Sequence, residues 1–271
     1  MNRIDVTITH AKAAKRRLIS PYITAGDPNL ELTLELMHAL TDAGADILEI
    51  GLPFSDPMAE GEVIQAAMER ACAQNITCKD VLKLIAKFRQ SNQSTPVVLM
   101  GYTNIIECYG YQSFASDAKK AGVDGTILVD CPPEESHELC EIWQQHQLYP
   151  IFLCSPTTTP ARIKALKQYA RGYVYFVSLK GVTGANHLDV ATIKQTYIDR
   201  QAQISLPLLV GFGIKNADMA AQIAEFADGV IIGAALIQTI EKAHKAQQNA
   251  VRSGAQFITE IRQAMDNIGA S

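Results

Sequence analysis

Eight short apolar runs, separated by stretches of helical periodicity, constrain this chain more than anything else in it. Runs of strand length occur at 18–23, 47–50, 96–100, 126–129, 149–153, 173–177, 206–210 and 230–232. Between them, apolar residues recur every three or four positions at 30–43, 63–74, 79–90, 113–121, 134–145, 160–169, 188–201 and 218–226, the spacing of one buried helix face. The strand candidates are continuously apolar rather than alternating, as strands covered on both faces must be. Two near-copies, A-G-A-D-I at 43–47 and A-G-V-D-G at 121–125, place a helix-ending glycine and an aspartate just before a strand. Eight strand–helix units in 271 residues fit a (β/α)8 TIM barrel better than an open doubly wound sheet. A further helix is expected to start near Asn2. No linker or composition break divides the chain, so the expectation is one α/β barrel domain over residues 1–271.

Composition narrows the function. With 24 Lys and Arg against 28 Asp and Glu, the formal charge is −4, which argues against nucleic acid or an anionic membrane as the main partner. The six cysteines form no C-x-x-C pair, so reduced structural thiols are expected. No apolar stretch approaches the ~20 residues needed to span a bilayer, and the N-terminus does not read as a signal peptide. A cytoplasmic location is expected. The basic run Lys12, Lys15, Arg16 and Arg17 reads as a solvated face at the end of the first helix.

In such a barrel, chemistry gathers at the C-terminal ends of the strands. In Leu48-Glu49-Ile50-Gly51 the alternation puts Leu48 and Ile50 on one face and Glu49 on the other. If the apolar pair meets the helices, Glu49 points into the barrel, where desolvation raises its pKa and suits it to general acid–base work. The next loop, 52–61, is long and carries Asp56 and Glu60. Asp56 before Pro57 suits a turn. Glu60 stands open between a helix-dipole acid and a catalytic one. Gly211-Phe212-Gly213 and Gly233-Ala234 follow the last two strands, the usual place for phosphate on backbone N–H groups. The segment 179–186, with Gly181, Thr183 and Gly184, reads as a lid. Tyr175, on the same strand parity as Tyr173, either lines the mouth or fills the core with it. No histidine sits at a strand end beside an acid, so no metal site is expected. Lys180 is too solvated to read as a Schiff-base nucleophile.

These residues also carry a family resemblance. L-E-I-G-L-P-F-S-D-P-M-A-E-G at 48–61 resembles the signature of the tryptophan synthase alpha subunit family. P-Y-I-T-A-G-D-P at 21–28, V-L-M-G-Y-T-N at 98–104, C-P-P-E-E at 131–135, G-V-T-G-A at 181–185 and G-F-G-I at 211–214 follow in order. The resemblance runs from about residue 15 to the C-terminus. It implies a (β/α)8 lyase that cleaves indole-3-glycerol phosphate to indole and glyceraldehyde 3-phosphate. Indole then passes to a beta subunit, in an alpha2-beta2 heterotetramer whose pyridoxal phosphate belongs to that beta subunit; no cofactor is implied for this chain. Carried over by motif, the catalytic carboxylates are Glu49 and Glu60. Gly184, Gly213, Gly233 and Ala234 take the phosphate, Tyr22, Tyr175 and Phe212 frame the indole, and Thr183 closes the lid. Asp56 and Asn104 match positions that face the beta subunit. The family usually has Asp at Glu60, Ser at Ala234, and Arg where Leu179-Lys180 stands. These departures imply retained chemistry with weaker phosphate affinity. Two other readings are a barrel that only binds and activates the beta subunit, and a related phosphosugar isomerase or aldolase.

Overall fold

The computed structural model describes residues 1–178, 190–211 and 213–268. Its strands are β1 (Leu18–Thr24), β2 (Leu48–Gly51), β3 (Val97–Gly101), β4 (Gly125–Leu128), β5 (Tyr149–Pro150), β6 (Leu153–Cys154), β7 (Val174–Val177), β8 (Leu208–Gly211) and β9 (Gly229–Ile232). All pairings are parallel, in the order β5-β4-β3-β2-β1-β9-β8-β7-β6. The two ends of this sheet are one stretch of chain. Ile151 N–H donates to the Thr126 C=O of β4, and Phe152 C=O accepts from the Tyr175 N–H of β7. Residues 149–154 therefore form one stave that closes the ribbon on itself, giving the eight staves expected from the apolar runs.

The helices are α1 (Arg3–Ala13), α2 (Leu30–Asp42), α3 (Glu62–Cys72), α4 (Cys78–Phe88), α5 (Thr103–Tyr109), α6 (Tyr111–Ala121), α7 (His137–Gln145), α8 (Pro160–Tyr169), α9 (Val190–Gln201), α10 (Ala217–Ala224), α11 (Ala234–Lys245) and α12 (Ala250–Asp266). Local chemistry starts several of them. Asn29, Asn216 and Asn249 each accept a backbone N–H at a helix start, and Thr77 with Asp80 forms a reciprocal capping box. Bounds read from periodicity lie within three residues of these, while α5, α11 and α12 lie where no bounds were drawn.

Alternation along the strands divides the core into two layers. Ile19, Ile23, Leu48, Ile50, Val97 and Leu99 pack outward against the helices. Leu18, Tyr22, Val98, Ile127, Tyr173 and Leu209 fill the interior, joined by Ile4, Ile8 and Ala11 of α1, which closes the barrel floor. That floor also explains the aspartates of the repeated motif. Asp46 accepts the Ile19 N–H, Asp124 the Val97 N–H and Asp228 the Leu208 N–H, each at 2.9 Å. Each thus satisfies a backbone donor at the start of the neighbouring strand. Of the basic run, Lys12 and Lys15 are exposed as expected, while the half-buried Arg16 pairs with the buried Asp46, which Arg262 also approaches at 3.4 Å.

Candidate active site

β2 is only four residues long, and its alternation decides the centre of the site. Leu48 and Ile50 face the helices, so Glu49 points inward, opposite Tyr22 in the β1 register and fully buried. Its Oε1 accepts from the Ser20 hydroxyl at 2.9 Å and from the Tyr173 phenol at 2.7 Å. Among the described residues its Oε2 has no hydrogen-bond partner. Burial pushes the Glu49 carboxyl up to about 7 against the pull of these two donors, and the charge of Glu60 adds a smaller push. Ser20 was not singled out in the sequence, and Tyr173 was read there only as the parity partner of Tyr175, lining the mouth or filling the core. The shared parity of Tyr173 with Tyr175 was the available signal.

Glu60 closes the loop after β2, half-buried, and burial pushes its carboxyl to about 7 as well. The loop is held from two sides. Glu60 C=O accepts from the Gln65 side chain at 2.8 Å, and its N–H donates to Pro57 C=O at 3.0 Å. One residue earlier, Ala59 N–H donates to the Tyr102 phenol at 3.0 Å, while the Tyr102 ring stacks on Phe54 with centroids 4.9 Å apart. Tyr102 is another residue that the sequence reading passed over, although it directly follows β3 at the catalytic rim. Asp56, in the same loop, is exposed and bonded by Ser55; Asn104, at the start of α5, is also exposed.

A cavity of about 490 Å3 joins these parts. Glu49, Glu60, Tyr22 and Tyr175 line it, together with Gly213, Gly233 and Ala234. Tyr22 lies so close over Gly51 that a Cβ there would sit 2.1 Å from its hydroxyl, and Tyr175 covers Gly211 in the same way at 2.3 Å. Two strand-end glycines thus make room for two tyrosine side chains that line the cavity. This resolves the open reading of Tyr175 in favour of a lining role. Gly213 has φ of +85°, which suits glycine. Gly233 leads into α11 without a side-chain cap, and the first bond of that helix runs from Ile237 N–H to Gly233 C=O. The N–H groups of Ala234 and Ala235 are therefore free to meet an anion. Phe212, Thr183, Gly184 and the rest of the 179–186 segment, with Lys180, lie outside the described residues. Among the described residues no group of three or more His, Cys, Asp or Glu is arranged to hold a metal.

The family model of the tryptophan synthase alpha chain matches residues 8–266. The chain belongs to that family. A tryptophan synthase alpha chain from Legionella pneumophila (strain Lens) is 57% identical over 270 residues, covering 100% of this chain and 99% of that one. The crystal structure of the alpha subunit from Legionella pneumophila strain Paris superposes with a TM-score of 0.94 at 54% identity, covering 98% of this chain and 99% of that one. A structure of the tryptophan synthase a2b2 complex from Pyrococcus furiosus matches with a TM-score of 0.81 at 34% identity, over 90% of this chain and 97% of that one. The barrel architecture is therefore that of the tryptophan synthase alpha chain, and the cavity lies at the end of its strands where a barrel enzyme works.

Proposed function

We propose that this chain cleaves indole-3-glycerol phosphate to indole and glyceraldehyde 3-phosphate, with Glu49 and Glu60 as its catalytic carboxylates. The observation that carries this reading is the shared cavity: the buried Glu49 and the half-buried Glu60, both pushed up to about 7, line the same space as the N–H groups at the start of α11. Cleavage needs a proton at ring carbon C3, which turns the indole into an electron sink. It also needs the side-chain hydroxyl beside C3 to lose its proton. The C–C bond then breaks, the aldehyde forms, and the bond's electron pair returns to the ring. Glu49, held by Ser20 and Tyr173, suits both proton transfers, because a carboxyl titrating near 7 is present in both forms at neutral pH. Glu60 would accept from the ring N–H and stabilise positive charge developing there.

In this assignment Tyr22 and Tyr175 bracket the ring. Gly213, Gly233 and Ala234 are assigned to the phosphate; Gly184, Phe212 and Thr183, assigned by the family motifs to the phosphate, the ring and the lid, lie outside the described residues. Asp56 and Asn104 are assigned to contacts with a beta subunit in an alpha2-beta2 assembly. Asp56 and Asn104 are exposed, as is Met58 of the same loop as Asp56 at 85%, which supports this. Pyridoxal phosphate belongs to that beta subunit, and one domain over 1–271 in the cytoplasm completes the proposal. No helix of the described residues is long and apolar enough to cross a membrane. Steady-state release of indole tests the reading. Glu49→Gln and Glu60→Gln should each lower kcat by about 10²-fold or more, and a full rate in either variant removes that residue from the mechanism. If the wild-type chain releases no indole alone or with a beta subunit, the lyase reading fails.

A further inference from the structure

The cavity does not end at the phosphate cradle. Past Ala234 it continues between α3 and α11, lined by Ala235, Gln238, Thr239 and Lys242. These positions recur at i, i+3, i+4 and i+7 and so form one face of α11. Side chains on a helix lean towards its N-terminus. Lys242 stands about two helical turns beyond Ala235 on this face and lines the cavity. Lys215, two residues beyond Gly213, lines the same cavity. Among the described residues neither ammonium makes an ion pair, and the neighbouring Glu241 is already held by Arg70 at 2.9 Å and Lys245 at 2.6 Å. The carboxylates of this cavity are Glu49, Glu60 and Glu62, and Lys215 and Lys242 are the cations among its described lining residues.

We propose that Lys215 and Lys242 are positioning residues for a phosphate monoester, holding by charge a dianion to which Ala234 offers no hydroxyl. This rests on the reading that the α11 cradle takes the phosphate of the substrate. The test uses three probes on the full chain: indole-3-glycerol phosphate for turnover, glycerol 3-phosphate for the charged end alone, and indole for the ring end alone. Lys215→Met and Lys242→Met should each weaken glycerol 3-phosphate binding and raise KM by roughly threefold to tenfold at low salt, as expected for a unit charge near a dianion in partly solvated surroundings. The effect should shrink as salt is raised, with kcat within about twofold and indole affinity unchanged. Ala234→Ser in the double lysine variant should recover part of the loss. The proposal is overturned if glycerol 3-phosphate affinity and its salt dependence are unchanged in both variants. It is equally overturned if indole affinity falls by the same factor. Failure of the parent reading is distinct: a wild-type chain without turnover still reports on the lysines through glycerol 3-phosphate binding.

Discussion

At Glu49, position and environment pull in opposite directions. Strand alternation places a carboxylate in a fully buried interior, where ionisation is costly, and two hydroxyl donors offset only part of that cost. The result is a group titrating near 7 beside a second one, Glu60, that does the same. Because the reaction needs one proton held and one released, kcat/KM should follow a bell centred near pH 7, with limbs belonging to the pair. Glu60→Gln should remove one limb. Stability follows the opposite logic from that of a salt-bridged acid. Glu49 rises from its ordinary 4.5 to about 7 on folding, so the folded chain binds the extra proton between those values. The favourable contribution is complete below about 4.5 and is lost as pH rises through 7. Glu49→Gln keeps a carbonyl for Ser20 and Tyr173 and removes the buried charge. Thermal unfolding should therefore show it stabilised over wild type at pH 8 by about 2 kcal/mol, with little difference at pH 5.

Among the elements, the loop after β2 decides where the second carboxyl stands. Its tip is tied to the next strand by Tyr102, through the Ala59 N–H and the Phe54 ring, and its end is tied to α3 by Gln65. Removing the Tyr102 hydroxyl frees the residue before Glu60 without touching Glu60 itself. A displacement of about 1 Å at a reacting group can cost on the order of 10²-fold, and Phe54 stacking remains in Tyr102→Phe, so a loss of about tenfold in kcat with KM nearly unchanged is expected. Faster hydrogen exchange at Ala59 would tie that loss to the loop; unchanged exchange with unchanged kcat would sink the clamp. The sequence marked this loop by its length and prolines. It did not mark Tyr102, because the contact joins two loops that become neighbours only when β2 and β3 pair.

Over the whole molecule, the two ends of the barrel have different tasks. The carboxyls and the N–H cradle gather at the C-terminal rim, while Asp46, Asp124 and Asp228 tie the opposite end together. Asp124 is buried, takes Arg89 at 2.8 Å and Arg3 at 3.0 Å, and caps β3. Asp124→Ala strands the buried Arg89 and should cost about 3–5 kcal/mol. That corresponds to a fall of about 10 °C in Tm, while leaving the turnover of the folded fraction near wild type. A matching fall in kcat at low temperature would contradict this division of tasks. The eightfold beat, the inward aim of Glu49, the glycine turns and the family were legible in the linear chain, because strand alternation, helical periodicity and glycine conformation are local properties carried by neighbouring residues. Only the closed barrel decided that Ser20 and Tyr173 hold Glu49 and that Arg16 pairs with a buried aspartate. It also decided that Lys215 and Lys242 face one cavity. Each of those contacts joins residues far apart in sequence, and no local preference encodes a distance that exists only after the sheet has curled shut.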